Sequence, residues 1–343
     1  MAADIDDKQA SEEQWLKDLP VTAETPGFKP EEMIACQKCS RTNPPTRLKC
    51  FYCGEQLSVS EAQTNLAAAP SLRQMEAWEK GFNVILTGNA QISEENIRAA
   101  AALLRREPQE IKNLLDKDRP LPVVRTDSRR EAELIKNRLS ESGFDSFIWA
   151  DEEIALDQPT RRLRGLEIGE DSLTFLPFNK GEAQTVRWNE LVLIVTGSIF
   201  EKKISSTEKR KKNEEKQVTG STETSHDEPV IDIYAGDDRA GWRVLMAGFD
   251  FSCLGAEKSL LAVENIKRLV DLISRNAPRV TIDDGYLKVR GILGKVWENE
   301  QKMASHNWQR ESMGKFHFDN VTAIDNVAQF TRYSRLQRRL LNK

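Results

Sequence analysis

The stretch "CQKCSRTNPPTRLKCFYCGEQL", residues 36–57, holds four of the chain's five cysteines. Their spacing is C-x2-C-x10-C-x2-C. Two such knuckles can set four thiolates around one tetrahedral zinc ion at about 2.3 Å each. Redox chemistry and disulfides are the alternatives. A redox pair needs a single C-x-x-C in a βαβ pattern; here there are two, with no such pattern around them. Disulfides need an oxidising compartment. The acidic opening "MAADIDDKQASEEQWLKDLP" (1–20), with no basic start and no apolar core, does not suggest a secreted chain. Between the knuckles, "SRTNPPTRLK" (40–49) is too polar to be held by burial. Metal ligation can hold it, with on the order of 10–16 kcal/mol in model fingers at neutral pH. The expectation is one structural zinc ion on Cys36, Cys39, Cys50 and Cys53.

The longer segment "MIACQKCSRTNPPTRLKCFYCGEQL" (33–57) resembles the bacterial zinc-ribbon module: an apolar residue, C-x-x-C, Asn-Pro, then C-x-x-C-G-x-x-L. Ile34, Asn43, Pro44, Gly54 and Leu57 carry the likeness. It is also similar in spacing to Ran-binding-protein-type fingers, a family that often binds single-stranded RNA or ubiquitin. The sequence departs from both uses. Ile34 stands for the usual Trp, Ser40-Arg41 for the Thr-Phe of ubiquitin binders, and Pro44 for the stacking aromatic of RNA binders. Arg41, Arg47, Lys49, Phe51 and Tyr52 remain as a contact surface that could hold a strand by charge and stacking. A small structural or protein-docking knob is the plainer reading.

The chain has 343 residues, long enough for two or three domains. It is 39% hydrophobic, enough for folded cores, while 30% charged residues and 13 prolines point to exposed connections. A net charge of −4 gives the whole molecule no field that would gather nucleic acid. The longest apolar run, "LVLIVTGSIF" (191–200), is half a membrane span and reads as a buried strand. A cytoplasmic protein without a membrane span is expected.

Outward from the ribbon, 1–32 reads as disordered and 58–77 as a linker. From 78 to 152 the pattern is βααβαβ: "FNVIL" (82–86), a helix capped by Ser93, a second opened by Pro108, "LPVVR" (121–125), a third helix with a Ser128–Glu131 capping box and a Gly143 stop, and "FDSFIWA" (144–150). That order resembles the fold shared by the C-terminal domain of the bacterial ribosomal stalk protein and the Clp protease adaptor. The stalk domain's glycine-rich turn and the adaptor's acidic pocket are missing, so the resemblance implies a fold and a habit of binding proteins, and no site. Residues 155–276 read as strands followed by one amphipathic helix, "SLLAVENIKRLVDLISRN" (259–276). This arrangement is similar to bacterial pleckstrin-homology-like domains. Its polar segment 204–228 is expected to be a disordered loop. Residues 277–343 read as a partly helical extension with a strand-like start, "YLKVRGILGKVWE" (286–298). Arg332, Arg335, Arg338, Arg339 and Lys343 make its end basic, either as a solvated helix end or as a patch for RNA.

No catalytic constellation stands out. The three histidines are scattered, "GILGK" (291–295) is too short for a phosphate-binding loop, and Cys253 sits among apolar residues. Asp237-Asp238 and Asp283-Asp284 read as acidic turns. Four cysteine ligands would leave zinc no open position for catalysis. The fold class is therefore α+β and multidomain: a small zinc ribbon, a βααβαβ domain, and a β-rich domain with a C-terminal helix. The expected function is that of a non-enzymatic protein-interaction protein, an adaptor or scaffold. The alternative is a ribosome- or RNA-associated factor using the ribbon and the basic C-terminus.

Overall fold

The computed structural model describes residues 33–44, 50–55, 57, 70–88, 92–211, 217–312 and 315–342; for 207–211, 217–219, 304–312 and 315–320 only the backbone is described. The expectations for 1–32, for most of the linker and for Lys343 lie outside these residues. The protein is an α+β chain of two compact units, Met1–Ala69 and Pro70–Lys343. In the first, β1 (Ile34–Ala35) and β2 (Thr42–Asn43) form a two-stranded antiparallel sheet.

The second unit begins earlier than the sequence suggests. Residues 70–77, expected to be linker, dock on the folded body. The Leu72 amide donates to the Glu131 side chain at 2.9 Å, and Arg73 pairs with Glu79 at 3.0 Å and Asp127 at 3.2 Å. Then come β3 (Phe82–Leu86), α1 (Glu94–Leu103), α2 (Pro108–Leu115), β4 (Leu121–Thr126), α3 (Arg129–Glu141) and β5 (Ser146–Ala150). The Ser93 and Ser128 side chains accept from the amides of Asn96 and Glu131, as N-caps should. Gly143, at φ +79°, ends α3 in the left-handed region. The three strands make one antiparallel sheet in the order β4-β3-β5.

A larger sheet follows. It contains β6 (Arg161–Ile168), β7 (Ser172–Pro177), β8 (Gln184–Arg187), β9 (Leu191–Lys211), β10 (Gln217–Ala235) and β11 (Trp242–Leu245). After the helix α4 (Ala262–Asn276), β12 (Thr281–Asp283) pairs in parallel with β9 at Leu193–Val195. Beyond α5 (Tyr286–Leu293), the hairpin of β13 (Glu300–Ser312) and β14 (Lys315–Asp325) joins the same edge of β9 from Glu201 onward. The order is β13-β14-β9-β10-β11-β6-β7-β8.

Three expectations change here. First, 204–211 and 217–228 are strand rather than loop, with 212–216 outside the described residues: β9 and β10 pair in antiparallel register through Ile204↔Glu223 and Lys203↔Thr224 as far as Lys209↔Gln217. Backbone pairing needs no apolar side chains, so a polar segment can run as a ladder once its partner strand is in place. Second, the strand-like start at 286 is a helix. Tyr286, Val289 and Leu293 are buried, the i, i+3, i+7 spacing of a helical face. Third, 277–343 is no appendage, because its strands complete the sheet and its last helix fills the core.

That helix, α6 (Val327–Leu340), joins the parts. Phe330, Tyr333 and Leu336 are fully buried in a cluster that also holds Val84, Leu121, Ile135, Val195 and Tyr234. The opposite face of the large sheet packs Ile194, Ile231 and Ile233 against Leu269 and Ile273 of α4. Burying side chains of this size contributes about 1.5–3 kcal/mol each. The βααβαβ segment and the C-terminal helix thus share one core.

Three of the four arginines of α6 face inward, against both sequence-based readings of a basic tail. Arg332, Arg335 and Arg338 are only 5%, 2% and 3% exposed. They donate mostly to backbone carbonyls. Arg332 reaches Ala77 O; Arg335 reaches Ala155 O, Gln158 O and the Thr160 hydroxyl; Arg338 reaches Asp238 O and Gly236 O. A guanidinium's fork of five donors can serve several carbonyls at once. Burial pushes Arg332 down to about 10, with the nearby Arg125 charge adding to the effect, and lowers Arg335 and Arg338 as well. Two ionic networks fasten the same region. Asp151 accepts from Arg125 at 2.6 Å, from Asn83 at 2.9 Å and from the Gly81 amide at 2.9 Å. Asp283 accepts from the Tyr333 hydroxyl at 2.6 Å and pairs with Arg119 at 3.1 Å.

Candidate metal centre

The first knuckle turns tightly: the Cys36 amide donates to Arg41 O at 3.0 Å and the Ser40 amide to Cys36 O at 2.8 Å. The second repeats it. The Cys50 amide donates to Glu55 O at 2.8 Å and the Gly54 amide to Cys50 O at 3.0 Å. In both, the residue after the second cysteine has positive φ, +73° for Gly54 and +56° for Ser40. Glycine takes that conformation freely, whereas serine meets its own Cβ there.

The two turns bring all four sulfurs within 4.8 Å of one another. Cys36 Sγ lies 3.5 Å from Cys53 Sγ, and Cys39 Sγ 3.5 Å from Cys50 Sγ. A tetrahedron with metal–sulfur bonds of about 2.3 Å has edges of roughly 3.8 Å, so the spacing fits one ion. It is far beyond the ~2.05 Å of a disulfide, and the cysteines are free. The donor set is that of a site able to bind a metal ion.

Asn43, fully buried, links the knuckles. Its Nδ2 donates to Arg41 O at 2.9 Å and to Cys50 Sγ at 3.5 Å, and its Oδ1 accepts from the Phe51 amide at 2.8 Å. One side chain therefore orients a ligand of the second knuckle from the end of the first, as outer partners of metal ligands do. The sequence placed Asn43 in the pattern without revealing this role. Burial alone would raise the Cys50 thiol. The amides of Cys53 and Tyr52, with the side chains of Cys39 and Asn43, outweigh it and lower the thiol to about 6. The Glu55 amide favours the Cys53 thiolate, yet partial desolvation and the three neighbouring sulfurs raise that thiol to about 12. Four thiolates so close repel one another, and a divalent cation removes that repulsion.

Ile34 and Leu57, each 6% exposed, close over Cys36 and Cys50 in a small core. Lys38 and Glu55 pair across the two turns at 2.8 Å. Outside, Phe51 is 67% and Tyr52 53% exposed, their rings edge to face at 5.5 Å. The Arg41 guanidinium lies 4.6 Å from the centre of the Tyr52 ring. Of the five contact residues named from sequence, the structure brings together Arg41, Phe51 and Tyr52. Arg47 and Lys49 lie outside the described residues.

The other sequence candidates gain no functional partner among the described residues. Cys253 is half-buried, and burial pushes its thiol up to about 11, away from a reactive thiolate. Asp238 pairs with Arg161, and Asp283 is held by Arg119 and Tyr333. Among the described residues no helix is long and apolar enough to cross a membrane. No family model, curated protein or solved structure matches this chain.

Proposed function

We propose that Cys36, Cys39, Cys50 and Cys53 hold one structural zinc ion and that the chain is a non-enzymatic protein-interaction protein, an adaptor or scaffold of the cytoplasm. A bound zinc ion would cross-link the two knuckles and neutralise their thiolates, with all four positions filled by protein. A reducing compartment would keep the thiols free for it. The single observation that carries the interaction reading is the exposed pair Phe51 and Tyr52, held outward between the third and fourth ligands. Aromatic side chains of this kind, rigid and amphipathic, are the usual anchors of protein interfaces. The βααβαβ order supports the likeness to the stalk and adaptor fold, and α4 behind the strands supports the pleckstrin-homology-like comparison.

The RNA reading is the weaker one. Arg41 already covers a face of Tyr52 on which a base would stack. Three arginines of the basic C-terminus are buried. Affinity capture from native extract, with and without nuclease, tests the choice. Under the interaction reading, protein partners survive nuclease and are lost when Phe51 and Tyr52 are both changed to alanine. Nucleic acid that co-purifies and carries the partners with it would overturn that reading.

A further inference from the structure

The end of α6 and the turn between β10 and β11 enclose a pocket of 180 Å³. Its lining includes four guanidiniums, those of Arg239, Arg335, Arg338 and Arg339, together with the carboxylates of Glu153 and Asp237. Glu153 is engaged locally, accepting from the Ala150 amide at 2.8 Å. Among the described residues, none of the four guanidiniums forms an ion pair. Arg335 and Arg338 spend their donors mostly on carbonyls. Arg239 uses one nitrogen, on the carbonyls of Glu152 and Glu153. Arg339 lies 5.4 Å from the Trp149 ring centre, and its buried Nε has no hydrogen-bond partner; the Arg335 Nε is in the same state.

Burial of Arg335 and Arg338 is costly. The carboxylates near them, Asp157 and Asp232 for Arg335 and Asp237 and Asp238 for Arg338, form no ion pair with them, so a hydrogen-bonded anion adds to the offset. Four cations against two carboxylates leave a net charge of +2. A phosphate monoester carries about −1.5 to −2 at neutral pH, with three strong acceptor oxygens. The pocket is smaller than the roughly 300–1,000 Å³ of sites that enclose drug-sized ligands. Its small size and its charge suit one tetrahedral oxyanion better than a drug-sized molecule. We propose that this pocket binds one phosphate-class dianion, either inorganic phosphate or the terminal group of a phosphomonoester. Arg239 and Arg339 supply the hydrogen bonds, and Arg335 and Arg338 supply fixed charge behind them. The proposal is independent of the ribbon.

Calorimetric titration of the full-length protein at pH 7.5 and constant ionic strength tests it, with inorganic phosphate, O-phosphoserine and nitrate as probes. One dianion per chain is expected, with nitrate giving no saturable heat. Tighter binding of phosphoserine assigns the site to an esterified phosphate, and tighter binding of inorganic phosphate to the free ion. Arg239→Gln, on the exposed turn, should weaken binding about tenfold, the usual effect of losing a hydrogen bond to a charged group. Asp237→Asn, on the same turn, should tighten it about threefold by removing a repelling charge. Circular dichroism confirms that both variants keep the fold. Phosphate heat no greater than that of nitrate, or Arg239→Gln and Asp237→Asn both binding as the parent does, would overturn the proposal.

Discussion

Replacing Asn43 with alanine should weaken metal binding without touching a ligand. The side chain makes one hydrogen bond to the Cys50 sulfur, one to Arg41 O and one from the Phe51 amide. A hydrogen bond to a charged group contributes about 1.5–3 kcal/mol, and a buried amide left without a partner costs about 1–3 kcal/mol. Water reaching the small ribbon recovers part of this, so about 3 kcal/mol is a reasonable net loss. At about 1.4 kcal/mol per factor of ten, that is about a hundredfold, the upper end of what outer partners of metal ligands usually contribute. Against on the order of 10–16 kcal/mol of total binding, the variant still takes up zinc, only less tightly. Asn43→Asp should do worse, since it sets a carboxylate against the Cys50 thiolate. Competition with a chromophoric chelator at pH 7.5 under reducing conditions gives both affinities. An Asn43→Ala affinity within twofold of the parent would refute the idea that this residue couples the knuckles.

Ser40→Gly should strengthen zinc binding about threefold in the same assay, because it relieves a left-handed serine at the position that Gly54 occupies in the second knuckle. Arg335→Ala should destabilise the second unit by about 2–4 kcal/mol and lower its thermal midpoint by several degrees, since buried carbonyls at Ala155 and Gln158 lose their donor. Trypsin on the native protein should spare Lys202 and Lys203, which sit in the paired ladder of β9 with β10 and β14; early cleavage there would contradict that ladder.

The cysteine cluster was legible because a set of side chains able to hold a metal ion is written in a few residues at fixed spacing. Ile34, the four cysteines and Leu57 all lie within one short segment; the structure packs Ile34, Cys36, Cys39, Cys50 and Leu57 together and brings the four sulfurs within reach of one another. The helices of the βααβαβ segment were legible for a similar local reason: Ser93, Pro108, Ser128 and Gly143 mark their ends in the chain itself. What the sequence hid depends on distant partners. Nothing near Arg335 announces the carbonyls of Ala155 and Gln158, about 180 residues away, so its charge read as solvated. The polar run 204–211 looked unfit for a core, but it pairs with β10 on one edge and β14 on the other. The segment from 286 read as the start of a strand. The burial of Tyr286, Val289 and Leu293 follows a helical period set by contact with α6 and β9.

Elemental analysis of the full-length protein purified under reducing conditions bears most directly on the proposed metal centre. One zinc per chain is predicted, lost on changing Cys50 to serine while the circular dichroism of the second unit persists. Substoichiometric metal in the parent protein, iron in place of zinc, or full zinc retained by Cys50→Ser would contradict the account.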